Sequence, residues 1–371
     1  MSRLPYPCPD PAGALTIAWD SLDEPWIAPM AACPQDPEHH AEGDVWTHTK
    51  MVCEALVALP GWQALPADQR ELLFAAALLH DIAKPACTVI EDGRIKQPGH
   101  SPRGAVMVRG LLYRLGVDPL VREQIAALVR CHQIPFFLID EPDPLRRAAK
   151  ISQSVRCDLL ALLTRADALG RVCRDVQRLL DNIDLFADFC AENACRERAF
   201  AFPSDHTRFL YFRTEGRDPR FVAYDDTRCE VVLMSGLPGS GKDHWIARNL
   251  DLPVVSLDAI REETGHDPAG PQHAVVQAAR EQARVHLRRG QPFVWNATNL
   301  TRELRGRVID LCADYGARVR IVFLDTAYRR VLRQNRERDA QVPLAAIERM
   351  LARWEPPDLT EAHRVDWIVQ D

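Results

Sequence analysis

The stretch Cys229-Glu-Val-Val-Leu-Met-Ser-Gly236-Leu-Pro-Gly239-Ser-Gly241-Lys242-Asp243 decides the fold of the downstream half of the chain. An apolar run of strand length leads straight into a loop with glycines at 236, 239 and 241, closed by a lysine. Glycine lets backbone N–H groups crowd round a polyphosphate, and the N-terminus of a following helix adds a partial positive charge that favours the anion. Gly236, Leu237, Pro238, Gly239, Ser240, Gly241, Lys242 and Asp243 therefore form a candidate P-loop, with Lys242 expected to reach the phosphates. One position departs from that pattern. Asp243 stands where Ser or Thr normally holds Mg²⁺, and although a carboxylate also ligates Mg²⁺, its charge repels triphosphate.

Working outward, strand-like runs at 229–235, 253–257, 292–297, 319–324 and 365–370 alternate with helical stretches at 241–250, 273–290, 302–316, 327–338 and 344–354. That alternation predicts a doubly wound parallel sheet. Ligands of such folds bind at the C-terminal edge of the strands, where Val254-Val-Ser-Leu-Asp258 delivers a carboxylate and Arg261 follows one turn later. Phosphorylating a hydroxyl needs a carboxylate to orient and deprotonate it, so Asp258 is the expected general base and Arg261 the expected holder of an acceptor phosphate. The next strand ends in Trp295-Asn296-Ala-Thr-Asn299, with Asn296 where a strand-end acid is expected, and leads to Arg302 and Arg305. Asn299 and Arg302 are candidate substrate contacts. Leu332-Arg333-Gln-Asn335-Arg336-Glu-Arg338 is an arginine-rich helix end suited to a lid over phosphates.

Upstream, the periodicity is helical. Val45, His48, Val52, Ala55 and Leu59 share one face, and Leu72, Ala76, Leu79 and Ala83 another. Further helices are expected at 103–116, 119–132, 144–154 and 156–193, so everything to about residue 195 reads as all-α. Within these helices His48, His80, Asp81, His100, His132 and Asp167 make a candidate divalent-metal site, because imidazoles and carboxylates converging from several helices suit Mn²⁺, Mg²⁺, Fe, Ni²⁺, Co²⁺ or Zn²⁺. Asp167 lies on the apolar stripe of Leu160 and Leu163, and a buried carboxylate needs a cation or a strong donor. His100 and His132 are expected at the rim. His39, His40, Glu42 and Asp44 read as a solvated loop.

Composition fits a soluble globular protein: 371 residues, 47% hydrophobic, 26% charged and a net charge of −6. That length predicts two or three domains. The net charge gives no general attraction for nucleic acid, so any such binding must come from local patches. Eleven cysteines without a C-x-x-C pair argue against a disulfide framework or a zinc ribbon. With no basic-apolar leader and no long apolar run, a cytoplasmic location away from membranes is expected. Only five lysines accompany 41 arginines, which singles out Lys84 as a candidate substrate contact beside Lys242 in the loop.

Asp44-Val-Trp-Thr-His48-Thr, Leu78-Leu-His80-Asp81-Ile-Ala-Lys84, Gly99-His100-Ser, Arg130-Cys-His132 and Arg165-Ala-Asp167-Ala-Leu-Gly170-Arg together resemble the HD phosphohydrolase superfamily, particularly the form appended to bacterial CCA-adding enzymes. The resemblance implies metal on His48, His80, Asp81 and Asp167, with His100 and His132 matching the extra histidines of dinuclear or phosphate-binding members. Gly236 to Lys242, Leu257-Asp258-x-x-Arg261 and Asn335-x-x-Arg338 before Val342-Pro343 resemble the polynucleotide kinase branch of P-loop phosphotransferases. That implies Asp258 as base, Arg261 on the acceptor's phosphate and Arg338 on the transition state. The order of the halves resembles the bacterial HD-Pnk family of RNA-repair enzymes.

The organisation so implied is a lead-in at 1–43 packed on the helical module, an all-α HD domain at 44–195, a linker or short strands at 196–228, and an α/β P-loop kinase domain at 229–371. The expected partners are RNA or DNA ends, ATP or another nucleoside triphosphate with Mg²⁺, and an RNA ligase acting downstream. Two other readings compete. One is a nucleotide-metabolism fusion of a small-metabolite kinase with an HD nucleotide phosphohydrolase, and the other is an ATP-sensing regulator of an HD signalling module.

Overall fold

Leu72 to Leu79 are buried without interruption in helix Ala67–Leu79, and a helix that is apolar all round must lie at the centre of its domain. Helices Val45–Ala58 and Pro119–Cys131 flank it, Cys157–Leu169 packs across Val45–Ala58, and His100–Arg114 packs on Pro119–Cys131. In this computed structural model residues 4–13, 15–266, 270–337 and 341–370 are described. The chain divides into two compact units, Met1–Ala201 and Phe202–Asp371.

One close approach sets the geometry of the helical unit. A Cβ on Gly170 would lie 2.7 Å from both Cγ2 and the backbone N of Val52, so only glycine lets the end of Cys157–Leu169 press against Val45–Ala58 and bring Asp167 to His48. The lead-in packs on the same helix: Trp19 and Trp26 meet Trp46 edge-on, with ring centroids 5.6 and 6.0 Å away. Asp44 caps the helix, accepting from the Thr47 N–H at 2.9 Å.

The unit departs from the all-α expectation at a short antiparallel hairpin, β1 (Val89–Glu91) and β2 (Arg94–Lys96). Asp92 and Gly93 turn it with positive φ, and Asp-Gly is a strong local hairpin signal that the helical periodicity on either side outweighed. The single helix expected over 156–193 is two, Cys157–Leu169 and Val176–Glu192, broken where Gly170 makes its close approach.

In the second unit β3 (Cys229–Ser235), β4 (Val254–Ser256), β5 (Phe293–Asn296), β6 (Ala317–Thr326) and β7 (Arg364–Gln370) form one parallel sheet in the order β4-β5-β3-β6-β7. Both faces are covered. Val231 and Leu233 of β3 enter one core with Phe293, Trp295, Val319 and Ile321, while Val232 and Met234 enter another with Val294, Val322 and Leu324. Apolar residues at every position of a central strand are the consequence of burial on two sides.

Helices Lys242–Asn249, His273–Arg288, Arg302–Asp314, Tyr328–Arg336 and Leu344–Leu351 fall where the sequence pattern places them. Two were not foreseen. Leu257–Thr264 starts directly after β4, capped by Ser256, so Asp258 sits in a first helical turn rather than at the strand end. Asp205–Arg213 occupies the stretch read as a linker or short strands, capped by the Ser204 hydroxyl, which accepts from the Thr207 N–H at 3.0 Å. Phe209 of that helix is buried in the core on one face of the sheet.

Candidate functional site

Helix ends aim the histidines of the helical unit. The last carbonyls of a helix lack intrahelical partners, and His80 and His132, each immediately after its helix, satisfy one through Nδ1: His80 to Ala77 O at 2.7 Å and His132 to Val129 O at 2.8 Å. His100, the first residue of its helix, points Nδ1 at Gln97 O at 2.8 Å. His48 points Nδ1 at a Glu42 carboxylate oxygen at 2.8 Å and at Gly170 O at 3.3 Å. Oxygens of this kind only accept, so each ring in its neutral form carries its proton on Nδ1 and presents Nε2 inward, as a lone pair for an ion or, once protonated, as a donor to the facing carboxylates.

Those lone pairs face the carboxylates. His48 Nε2 is 3.1 Å from Asp167 Oδ1, and His80 Nε2 is 3.1 Å from Asp81 Oδ2. Asp81 Oδ1 lies 3.4 Å from His100 Nε2 and 3.8 Å from His132 Nε2. The six residues thus make two adjoining triads, His48 with His80 and Asp167, and Asp81 with His100 and His132. All six are buried, including His100 and His132, which the sequence placed at a rim. His80 Nε2 and Asp81 Oδ1 are buried without a hydrogen-bond partner. Unpartnered nitrogen and oxygen atoms converging in a buried space fit a divalent ion.

Cations already balance part of the negative charge. Lys84 Nζ is 2.7 Å from Asp81 Oδ2 and donates to Gln35 Oε1 at 2.6 Å. Arg171 grips both Asp167 oxygens, at 2.7 and 3.1 Å, and its guanidinium lies over the Phe136 ring. Burial opposes ionisation of Asp81, but His80 and Lys84 outweigh it and hold the carboxyl well below the usual carboxylate range. Burial likewise opposes Asp167, and Arg171 and His48 reverse the sign. His132 is pushed down to about 3, by burial first and by His80 second, so its ring is neutral at pH 7.

The sequence missed two residues of this site. Glu42, read as part of a solvated loop with His40, is half-buried with its side chain turned inward: one oxygen is 2.8 Å from both His40 Nδ1 and His48 Nδ1, and the other accepts from the Val172 N–H at 2.9 Å. Gln35 orients Lys84. Both lie in or beside the irregular lead-in, where no periodicity marks which side chains turn inward.

In the second unit the loop after β3 sits where the strand order reverses, with β5 on one side and β6 on the other. A Cβ on Gly236 would meet Ser240 Oγ at 2.8 Å and Leu324 O at 2.9 Å, and its φ is +150°. Lys242 Nζ curls over the loop and donates to Gly236 O and Leu237 O, both at 3.0 Å. Thr326 Oγ1 braces the loop from β6 by donating to Ser240 O at 3.1 Å. Helix Tyr328–Arg336 approaches Gly239, whose Cβ would lie 3.3 Å from Val331 O. Asn335 fastens the chain beyond that helix, donating to Val342 O at 2.8 Å and accepting from Val342 N at 3.0 Å. Arg338 lies outside the described residues.

Asp258 is exposed and paired with Arg261, whose Nε donates to Gln272 Oε1 at 2.9 Å. Asn296, at the end of β5, donates to Asp243 Oδ1 at 2.6 Å. The structure ties the other two substrate candidates to the frame. Asn299 has a φ of +45°, donates to Met234 O at 2.7 Å, and accepts from Ser235 Oγ and Arg305 at its own carbonyl. Arg302 pairs with Asp358 at 2.9 Å and reaches Thr360. Arg305 is wholly buried in a bidentate pair with Glu361, at 2.7 and 2.8 Å, a bolt between elements and not a surface group awaiting a phosphate.

Comparison with known proteins agrees with this division. Residues 45–171 match the HD domain family and residues 231–357 the AAA domain family. The chain joins an HD domain to a P-loop kinase-like domain. Two curated relatives, both named multifunctional CCA protein, are 28% identical over 171 residues (Cupriavidus metallidurans; 43% of this chain and 36% of that protein) and 33% identical over 121 residues (Halorhodospira halophila; 33% and 26%). The chain thus spans about a third of their length or less. A crystal structure of a sugar kinase from Janibacter sp. HTCC2649 is 21% identical, covering 38% of this chain and 84% of that one, with a TM-score of 0.29. Among the described residues no helix is long and apolar enough to cross a membrane.

Proposed function

We propose that this HD and P-loop fusion heals broken nucleic-acid ends. The kinase half moves the γ-phosphate of ATP, or another nucleoside triphosphate, to a 5′-hydroxyl. The HD half removes 2′,3′-cyclic, 2′- or 3′-phosphates, leaving termini for a ligase acting downstream. What carries the reading is the coexistence in one chain of two built sites, a buried cluster of inward-facing histidine nitrogens and a glycine loop with its lysine at the switch point of a parallel sheet.

In the kinase half, Lys242 exchanges its two loop carbonyls for the β- and γ-phosphates, and the loop N–H groups hold the rest of the chain of phosphates. Asp258 takes the proton as the 5′-oxygen bonds to the γ-phosphorus and the bridging oxygen leaves with the nucleoside diphosphate. Arg261, already beside Asp258, steadies the acceptor. In the HD half, His48, His80, Asp81 and Asp167, with His100 and His132 beside them, would hold a divalent ion, which would supply Lewis acidity toward a phosphate ester. Lys84 and Arg171 offset the charge of the two carboxylates and keep their oxygens directed inward.

The test offers γ-labelled ATP with 5′-hydroxyl RNA, 5′-hydroxyl DNA, nucleosides and small sugars, and in parallel a 2′,3′-cyclic-phosphate oligonucleotide across Mn²⁺, Mg²⁺, Fe²⁺, Ni²⁺, Co²⁺ and Zn²⁺. Label should pass to oligonucleotides far better than to nucleosides. Asp258→Ala should lose that transfer, and Asp81→Ala should lose phosphate removal while keeping it. Transfer to small molecules alone would favour the metabolic fusion, and parental transfer by Asp258→Ala would remove the kinase assignment.

A further inference from the structure

Two departures from the usual P-loop, one on the loop and one on a strand, prove to be neighbours. In P-loop phosphotransferases a hydroxyl on the loop and a carboxylate at a strand end hold the nucleotide's Mg²⁺. Here the residue after Lys242 is the carboxylate, Asp243, and the strand end carries the amide, Asn296. The two side chains touch: Asn296 Nδ2 donates to Asp243 Oδ1 at 2.6 Å.

The orientation of that amide is fixed by chemistry. Turned over, Asn296 would set its oxygen against the Asp243 carboxylate, so the nitrogen must face the acid. Its oxygen therefore points elsewhere, and it is buried without a hydrogen-bond partner, in a residue only 8% exposed. Ser240 Oγ, on the loop itself, is also buried and without a partner. A carboxylate, an amide oxygen and a hydroxyl are all hard oxygen donors of the kind Mg²⁺ accepts, directly or through its waters.

We propose that Asp243 and Asn296 together hold the divalent cation of the bound nucleotide, the acid and the neutral oxygen having exchanged places between loop and strand. The net charge of the pair is that of the ordinary arrangement, so an ion of the same charge is balanced. The exchange also puts the negative charge in the first turn of helix Lys242–Asn249, directly beside the triphosphate. Without the ion that carboxylate repels the nucleotide, and with it the two are bridged. Nucleotide binding by this chain is therefore unusually dependent on the metal.

The proposal rests on the P-loop reading, and the experiment separates the two. Full-length protein is titrated calorimetrically with a non-hydrolysable ATP analogue, once in excess Mg²⁺ and once in EDTA. The parent should bind more tightly with Mg²⁺ by about tenfold or more, the scale set by one unit charge a few ångströms from another at a protein surface. Asp243→Ala, at an exposed position, should bind the metal-free analogue more tightly than the parent and lose most of the Mg²⁺ enhancement. Asp243→Ser should also lose it, and the double exchange Asp243→Ser with Asn296→Asp should regain it. Full Mg²⁺ enhancement in Asp243→Ala, or no recovery in a folded double variant, overturns the proposal while leaving the P-loop reading in place. A folded parent that binds the analogue in neither buffer overturns both.

Discussion

Glu42 offers the sharpest test of the HD site, because it touches the candidate ligand His48 on the Nδ1 side, away from the inward Nε2. Its carboxylate takes the Nδ1 proton side of His48 at 2.8 Å, making the inward Nε2 a better donor to an ion, and its other oxygen accepts from the Val172 N–H at 2.9 Å. Glu42→Gln keeps an acceptor for His48 but removes the charge and sets an NH₂ group against the Val172 N–H, donor against donor. A hydrogen bond to a charged group contributes about 1 kcal/mol more than a neutral one, so Mn²⁺ affinity should fall roughly fivefold, approaching the lower end of what loss of such a partner costs. The assay is competition with a fluorescent chelator in nucleotide-free buffer, with melting curves to confirm that the variant is folded. Parental Mn²⁺ affinity in a folded Glu42→Gln protein would refute the reasoning, because the His48 tautomer and basicity would then owe nothing to Glu42.

Other outcomes follow from the same packing. Gly236→Ala places a Cβ within 3 Å of Ser240 Oγ and of a backbone carbonyl, so nucleotide binding should be lost while the HD unit's metal affinity stays at the parental value; both are read by titration. Arg305→Met strands the buried Glu361 carboxylate and should cost about 3–5 kcal/mol in urea unfolding, most of it recovered by adding Glu361→Leu. His363 links stability of the sheet unit to pH. Its Nδ1 accepts from the Val319 N–H at 3.1 Å, so Nε2 carries the proton and donates to His206 Nδ1 at 3.0 Å. Burial first, then the Arg318 charge, push it down to about 3. The folded state refuses a proton that the unfolded state accepts below its ordinary value. This contribution is therefore complete above about pH 6.5 and declines by up to about 1.4 kcal/mol per unit as pH falls toward the folded value. His363→Gln should flatten that part of the denaturation profile, and an unchanged slope would count against the assigned tautomer.

Periodicity and motif chemistry determined much about this protein from the sequence alone. Alternation of strand and helix lengths announced the parallel sheet, because strands buried on two faces are apolar throughout, and the glycine loop falls where the order of that sheet reverses. The helical stripes carried His48 and Asp167 inward, since a residue's phase on a helix is a local property. What the sequence left open is set by contacts between segments far apart in the chain. Gly170 joins two helices because a Cβ there would collide with Val52. Glu42 and Gln35 turn inward from an irregular segment whose side-chain directions depend on what it packs against. Arg302 read as a substrate contact and Arg305 beside it had no assigned partner, because a guanidinium advertises its charge but not what it pairs with, and only the fold brings Asp358 and Glu361 to them. The approach of Asp243 to Asn296 is of the same kind: residue type is written at each position, whereas the 2.6 Å between them exists only once β3 and β5 are paired side by side.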